Sequence, residues 1–192
     1  MKMQKNILLI DNFDSFTFNL VHLIEQLDIS FQVVRNNVVD VLDLIQFTHL
    51  IVSPGTGLPK DAGQTLEIIS LWPESKPILG VCLGMQSLIE FSGGVLENMP
   101  VVQHGAQSLI QVDSNSCLFQ NLPTSIKVGR YHSWACRPAR LSEEYKCTAT
   151  SEDGFAMAME HVSLPRFGVQ FHPESIMTEY GLEMMRNFVD LD

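Results

Sequence analysis

Positive charge is scarce in this 192-residue chain: 12 lysines and arginines stand against 22 aspartates and glutamates, a formal net charge of −10. No basic run relieves that balance, so neither nucleic acid nor an anionic membrane surface is an expected partner. Long apolar runs are missing as well. The one nearest the start, Ile7 to Ile10, stops at Asp11, too short for a secretory leader. Nothing approaches the roughly 18 apolar residues of a membrane span. The expected location is therefore cytoplasmic. Only four cysteines occur, Cys82, Cys117, Cys136 and Cys147, with no C-x-x-C pair and no histidine at zinc-finger spacing. That argues against a structural metal and for free thiols. Repeats, low-complexity tracts and Gly-, Pro- or Ser-rich linkers are absent too, so residues 1–192 read as a single domain.

What is present is an alternation of strand and helix patterns. "NILLI" (6–10) is a short continuous apolar run, as in a strand covered on both faces. From Phe16, the residues Phe16, Leu20, Leu23, Ile24 and Leu27 fall on one face of a helix, with Asp14 or Ser15 placed to cap it. The grammar continues with strand "FQVVR" (31–35), a short helix "VLDLIQ" (41–46), strand "HLIVS" (49–53), helix "QTLEIISLW" (64–72) and strand "PILGV" (77–81). Such alternation predicts an α/β fold, a mostly parallel open sheet with helices on both faces. After about Gly93 come shorter segments, 108–112, 125–129, 145–150 and 155–160, which predict a smaller antiparallel β portion. Strand 167–171 and a helix from about Glu179 to Val189 close the chain. Met157, Met159, Met184 and Met185 are expected to fill the core.

In a parallel α/β sheet, ligands bind beyond the carboxyl ends of the strands, and three sequence features fall there. Gly80-Val81-Cys82-Leu83-Gly84 has the spacing of a nucleophile elbow, a sharp strand-to-helix turn where glycines tolerate the doubling back. The dipole of the following helix would favour a thiolate. "FHPES" (171–175) places His172 and Glu174 two residues apart, suited to a general base and its orienting carboxylate. "SPGTG" (53–57) offers glycine amides for an oxyanion site. Each has a bland alternative: a buried cysteine, a hydrogen-bonded structural histidine, an ordinary Pro-Gly turn. Convergence of all three on one crevice favours catalysis. His104, His132 and the Asp11 to Ser15 cluster are open to two readings, partner contacts or turn hydrogen bonds.

These residues resemble the class I, or triad, glutamine amidotransferases, and among them the small glutaminase subunits of anthranilate synthase and 4-amino-4-deoxychorismate synthase. The stretches that carry the resemblance are "LLIDNFDSFTFNLV" (8–21), "SPGTGLPKDAG" (53–63), "PILGVCLGMQ" (77–86), "HG" (104–105), "GRYHSW" (129–134) and "GVQFHPESIMTEYG" (168–181). The resemblance implies a flavodoxin-like sheet, with Cys82 as nucleophile, His172 as base and acid, and Glu174 as its carboxylate. It further implies an oxyanion hole from the amides of Gly57 and Leu83. Gly55, Thr56, Gln86, Ser133 and Trp134 would line the site for L-glutamine. No cofactor is implied in this chain. A chorismate-binding synthase subunit, holding Mg²⁺, would receive the ammonia in a hetero-oligomer. Rival readings are a γ-glutamyl hydrolase or peptidase acting alone and a non-catalytic regulatory subunit. Departures from the family pattern fall at Met85, usually His; at Thr56 and Leu58, usually proline, which implies a looser loop; at "HGAQS", which lacks a lysine after "HG"; and at Trp134, more commonly leucine.

Overall fold

The computed structural model describes residues 5–38 and 44–191. In the first half, β1 (Asn6–Asn12), α1 (Thr17–Glu25), β2 (Ser30–Arg35), β3 (His49–Gly55), α2 (Thr65–Leu71), β4 (Ile78–Val81) and α3 (Leu83–Phe91) alternate. There follow β5 (Glu97–Val112), β6 (Ser125–Ala135), β7 (Tyr145–Ser151), β8 (Ala156–His161), β9 (Arg166–Val169) and α4 (Gly181–Val189). All described strands join one nine-stranded sheet in the order β2-β1-β3-β4-β9-β8-β7-β5-β6. Pairing is parallel from β2 through β9 and antiparallel from β9 onward through β8, β7, β5 and β6. The antiparallel portion therefore continues the parallel sheet, with β9 as the strand common to both.

Period-two side-chain alternation sends β1 into two cores. Ile7 and Leu9 pack on one face with Leu20, Val21 and Ile24 of α1 and Met184, Met185 and Phe188 of α4. Leu8 and Ile10 pack on the other with Ile68 and Ile69 of α2 and Met85, Leu88 and Ile89 of α3. Burial on both faces explains why β1, β3 and β4 read as unbroken apolar runs. Met157, Met159, Met184 and Met185 are all buried, as expected of core filler.

Boundaries differ from the sequence reading in informative places. Helix α1 starts at Thr17, with Phe16 at its N-cap and no side-chain cap. Asp14 instead accepts the Phe16 amide at 2.8 Å just outside the helix, and Ser15 makes no such bond. Of the short helix expected over 41–46, residues 41–43 lie outside the described residues and Leu44–Gln46 form a 3-10 turn. The segments 108–112 and 125–129 are the ends of two much longer strands, β5 and β6. Bulges between Asn98 and Gln103 and between His104 and Ala106 break the alternation there and hide the strand from a period-two pattern. Strand β9 ends at Val169, so Gln170, Phe171 and His172 follow it as connecting chain. Helix α4 begins at Gly181, after Tyr180 in a left-handed conformation (φ 60°).

Helix α3 approaches the sheet at backbone contact. A Cβ on Gly84 would stand 2.2 Å from the Val52 carbonyl oxygen, and one on Gly80 would stand 2.4 Å from the Gly84 backbone. Gly84→Ala is expected to destabilise the chain by about 2 kcal/mol or more, the cost of forcing volume into a packed backbone contact. Chemical denaturation of the variant checks this, and an unchanged midpoint would contradict it.

Candidate active site

Cys82 lies between the end of β4 and the start of α3 with φ 52° and ψ −102°, a conformation rare outside glycine. The sequence suggested that the flanking glycines avoid collisions and supply the unusual dihedrals; the first holds. The second does not: neither Gly80 nor Gly84 has positive φ, and their role is to let backbones touch. The strained residue is the cysteine itself. Two backbone bonds fix it, Cys82 N–H to Val169 O at 2.8 Å and Gln86 N–H to Cys82 O at 3.0 Å. Its side chain is buried but borders a cavity of about 380 Å³. Leu83 opens α3, where first-turn amides have no acceptor within the helix.

The segment after β9 brings His172 to the same cavity. His172 N–H donates to Gly129 O at 3.1 Å, and Thr178 Oγ1 donates to His172 O at 2.6 Å, which locks the turn. Nδ1 of the ring meets Glu174 Oε1 at 2.7 Å, and both side chains are almost wholly enclosed. Nε2 has no hydrogen bond, nor has Glu174 Oε2. Burial alone would push the imidazole toward neutrality, but the nearby Cys82 sulfur and the Glu174 carboxylate outweigh it and raise His172 to about 10. Phe16 and Tyr131 pack against the ring with centroids at 4.7 and 5.0 Å, holding its orientation.

The loop after β3 supplies Gly55, Thr56 and Gly57 to the cavity wall. Gly57 has φ 81°, which requires glycine, and Gly55 is pressed against Asn12 and Leu83. A buried polar network pins the start of this loop. Asn12 Nδ2 donates to Ser53 O at 2.9 Å, while Asn36 Nδ2 and Thr65 Oγ1 both donate to Asn12 Oδ1.

Gln86, Ser133 and Trp134 complete the expected set around the cavity. Gln86 Nε2 donates to Trp134 O at 2.9 Å and to Gln170 Oε1 at 3.2 Å. Met85 points the other way: fully buried, it lies against Gly168 of β9, where a polar histidine would have to find buried partners. Of the expected site residues, Cys82, His172, Gly55, Thr56, Gly57, Gln86, Ser133 and Trp134 border one cavity, while Glu174 is bonded behind His172 and Leu83 follows Cys82 at the start of α3. Those not foreseen are Phe16, Tyr131, Gln170, Asn12 and Asn36, which sit inside recognisable stretches or turns but carry no spacing signal of their own.

His104, His132, Asp14 and Ser15 also border the cavity. His132 is the electrostatic opposite of His172. Burial and the adjacent Arg130 guanidinium depress it to about 4, so its ring is neutral at pH 7. Its Nδ1–H donates to Trp134 O at 3.0 Å, and Nε2 accepts from Arg130 Nε at 3.2 Å. Among the described residues no group of three or more His, Cys, Asp or Glu side chains is placed to hold a metal.

Comparison with known proteins places this crevice in context. The family model for glutamine amidotransferase class-I matches residues 8–191. The "Aminodeoxychorismate/anthranilate synthase component 2" of Bacillus subtilis is 41% identical over 186 residues, covering 96% of this chain and 95% of that protein. The "Anthranilate synthase component 2" of Cyanophora paradoxa is 40% identical over 187 residues, covering 96% and 98%. Among solved structures, a glutamine amidotransferase from Thermotoga maritima superposes with TM-score 0.73 at 18% identity, covering 97% of this chain and 81% of that one, a likeness of fold.

The raised value at His172 has a sign that can be checked. A ring with a folded-state value near 10 contributes stability below its ordinary 6.5, and that contribution fades as pH rises toward 10. An imidazole NMR titration is expected to find His172 charged through pH 8, and Glu174→Gln to lower its midpoint by more than one pH unit. A parent midpoint near 6.5 would contradict the assignment.

Proposed function

Because the chain belongs to the class I glutamine amidotransferases, we propose that it is the glutamine-hydrolysing subunit of a chorismate-aminating synthase, with Cys82, His172 and Glu174 as its triad. The observation that carries this reading is the strained Cys82 beside an enclosed, charged His172–Glu174 pair at one cavity. A cavity of about 380 Å³ suits one amino acid of glutamine's size.

The chemistry follows from the geometry. The Cys82 thiolate attacks the side-chain amide carbon of L-glutamine, and the amides of Gly57 and Leu83 hold the oxygen as it gains charge. His172 gives its proton to the departing nitrogen, so ammonia leaves and a γ-glutamyl thioester remains on Cys82. The now neutral ring takes a proton from water, which attacks the thioester, releasing glutamate and restoring the thiolate. Glu174 keeps Nδ1 as the bonded nitrogen and stabilises the imidazolium at each stage. Gly55, Thr56, Gln86, Ser133 and Trp134 grip the α-amino and carboxylate end of the substrate.

The ammonia passes to a chorismate-binding component I in a hetero-oligomer. That partner holds the Mg²⁺, and its product is anthranilate or 4-amino-4-deoxychorismate. The relatives named as component 2 of anthranilate or aminodeoxychorismate synthases support this partner class. One amidotransferase domain over residues 1–192, working in the cytoplasm, is part of the same reading. Among the described residues no helix is long and apolar enough to cross a membrane.

The test is amination by the complex of this chain with a chorismate-binding component I. Cys82→Ser is expected to lower glutamine-dependent amination about 1000-fold or more while ammonia-dependent amination persists. Retained glutamine-dependent activity in the variant would overturn the nucleophile assignment.

A further inference from the structure

Gln170 is fully buried, has no part in the triad and nonetheless touches the nucleophile. Its Nε2 donates to Cys82 Sγ at 3.6 Å, within range for a sulfur acceptor. An amide side chain can point either its oxygen or its nitrogen at a neighbour, so the question is what fixes the sense. The answer is read outward along the bonds. Asp153 holds Arg130 through paired bonds of 3.1 and 3.0 Å, and Arg130 Nε donates to His132 Nε2. That leaves His132 Nδ1 as the protonated nitrogen, donating to Trp134 O. The same carbonyl accepts from Gln86 Nε2, which fixes Gln86's NH₂ end. Gln86 Nε2 also donates to Gln170 Oε1, which leaves Gln170 only its NH₂ end to offer the sulfur.

We infer that Gln170 is a positioning residue for Cys82: its fixed N–H bond steadies the sulfur and favours the thiolate over the thiol. Gln86 sets the direction of that bond, so the glutamine-binding wall and the nucleophile share one network. A hydrogen bond to an anion stabilises it, and Gln170, fully buried, offers this one from the side away from solvent. The titratable groups that face the sulfur are His172, with Glu174 behind it, while His132, His104 and Asp14 share the cavity wall. The inference rests on Cys82 being the nucleophile, but its readout does not require turnover.

The experiment is alkylation of Cys82 by iodoacetamide across pH, followed by mass spectrometry of the peptide that carries it, with Cys82→Ser as the blank. Gln170→Leu removes the N–H while keeping bulk, and is expected to move the half-maximal pH of alkylation upward by about one unit or more, the size of a lost hydrogen bond to a charged group. Gln170→Glu keeps the shape and replaces the donor with an acceptor. It is expected to move the midpoint further, and it serves where the leucine variant does not fold. Folded variants with the parent's midpoint would overturn the inference, whatever happens to their activity. Glutamine hydrolysis surviving in Cys82→Ser would instead remove the catalytic reading, and the two failures are thereby distinguishable.

Discussion

Helix α3 meets the sheet so closely that neither Gly80 nor Gly84 has room for a Cβ, and the chemistry of the molecule depends on that contact. The turn between β4 and α3 must close within a single residue, and Cys82 takes the strained dihedrals that make this possible. The backbone cost is of order 1–3 kcal/mol and is met by two cores packed on opposite faces of the sheet. Holding the sulfur on a turn too tight to relax keeps it at the cavity edge and above the first-turn amides of α3. A cysteine one residue further into either element would join the core.

The second organising fact is that two histidines bordering one cavity have opposite charge states. His172 gains a carboxylate and a thiol as neighbours and stays protonated; His132 gains an arginine and loses its proton. Environments that push like groups apart assign their roles. The charged ring can give a proton to a leaving group. The neutral ring is a connector, donating from one nitrogen to the Trp134 carbonyl and accepting at the other from Arg130; that carbonyl, which can only accept, fixes the amide direction of Gln86 and, through it, Gln170. Arg130 is enclosed and would be costly without Asp153, whose partly exposed carboxylate anchors the outer end of the network.

Much of this was legible in the residues. Unbroken apolar runs announced β1, β3 and β4 because both faces are covered, and the elbow, "FHPES" and "SPGTG" all lie at carboxyl ends of neighbouring strands. The glycines of the elbow were read rightly for close contact, while the dihedral freedom also expected of them is taken up by Cys82. What could not be read has physical causes. The bulges of β5 shift its register and erase alternation, so a 16-residue strand looked like a short one. Phe16 and Tyr131 orient His172 through ring contacts that carry no sequence period. Gln170 was in view within a recognised stretch, but its role depends on which end of an amide faces a sulfur 88 positions away, which only the folded network decides.

The most direct test of this account is to catch the covalent intermediate. Rapid acid quench of the chain turning over glutamine, alone or with its synthase partner, followed by peptide mass spectrometry, is expected to find a γ-glutamyl adduct on the peptide carrying Cys82, absent from Cys82→Ser. An adduct on Cys117, Cys136 or Cys147, or hydrolysis by the Cys82→Ser chain, would contradict it.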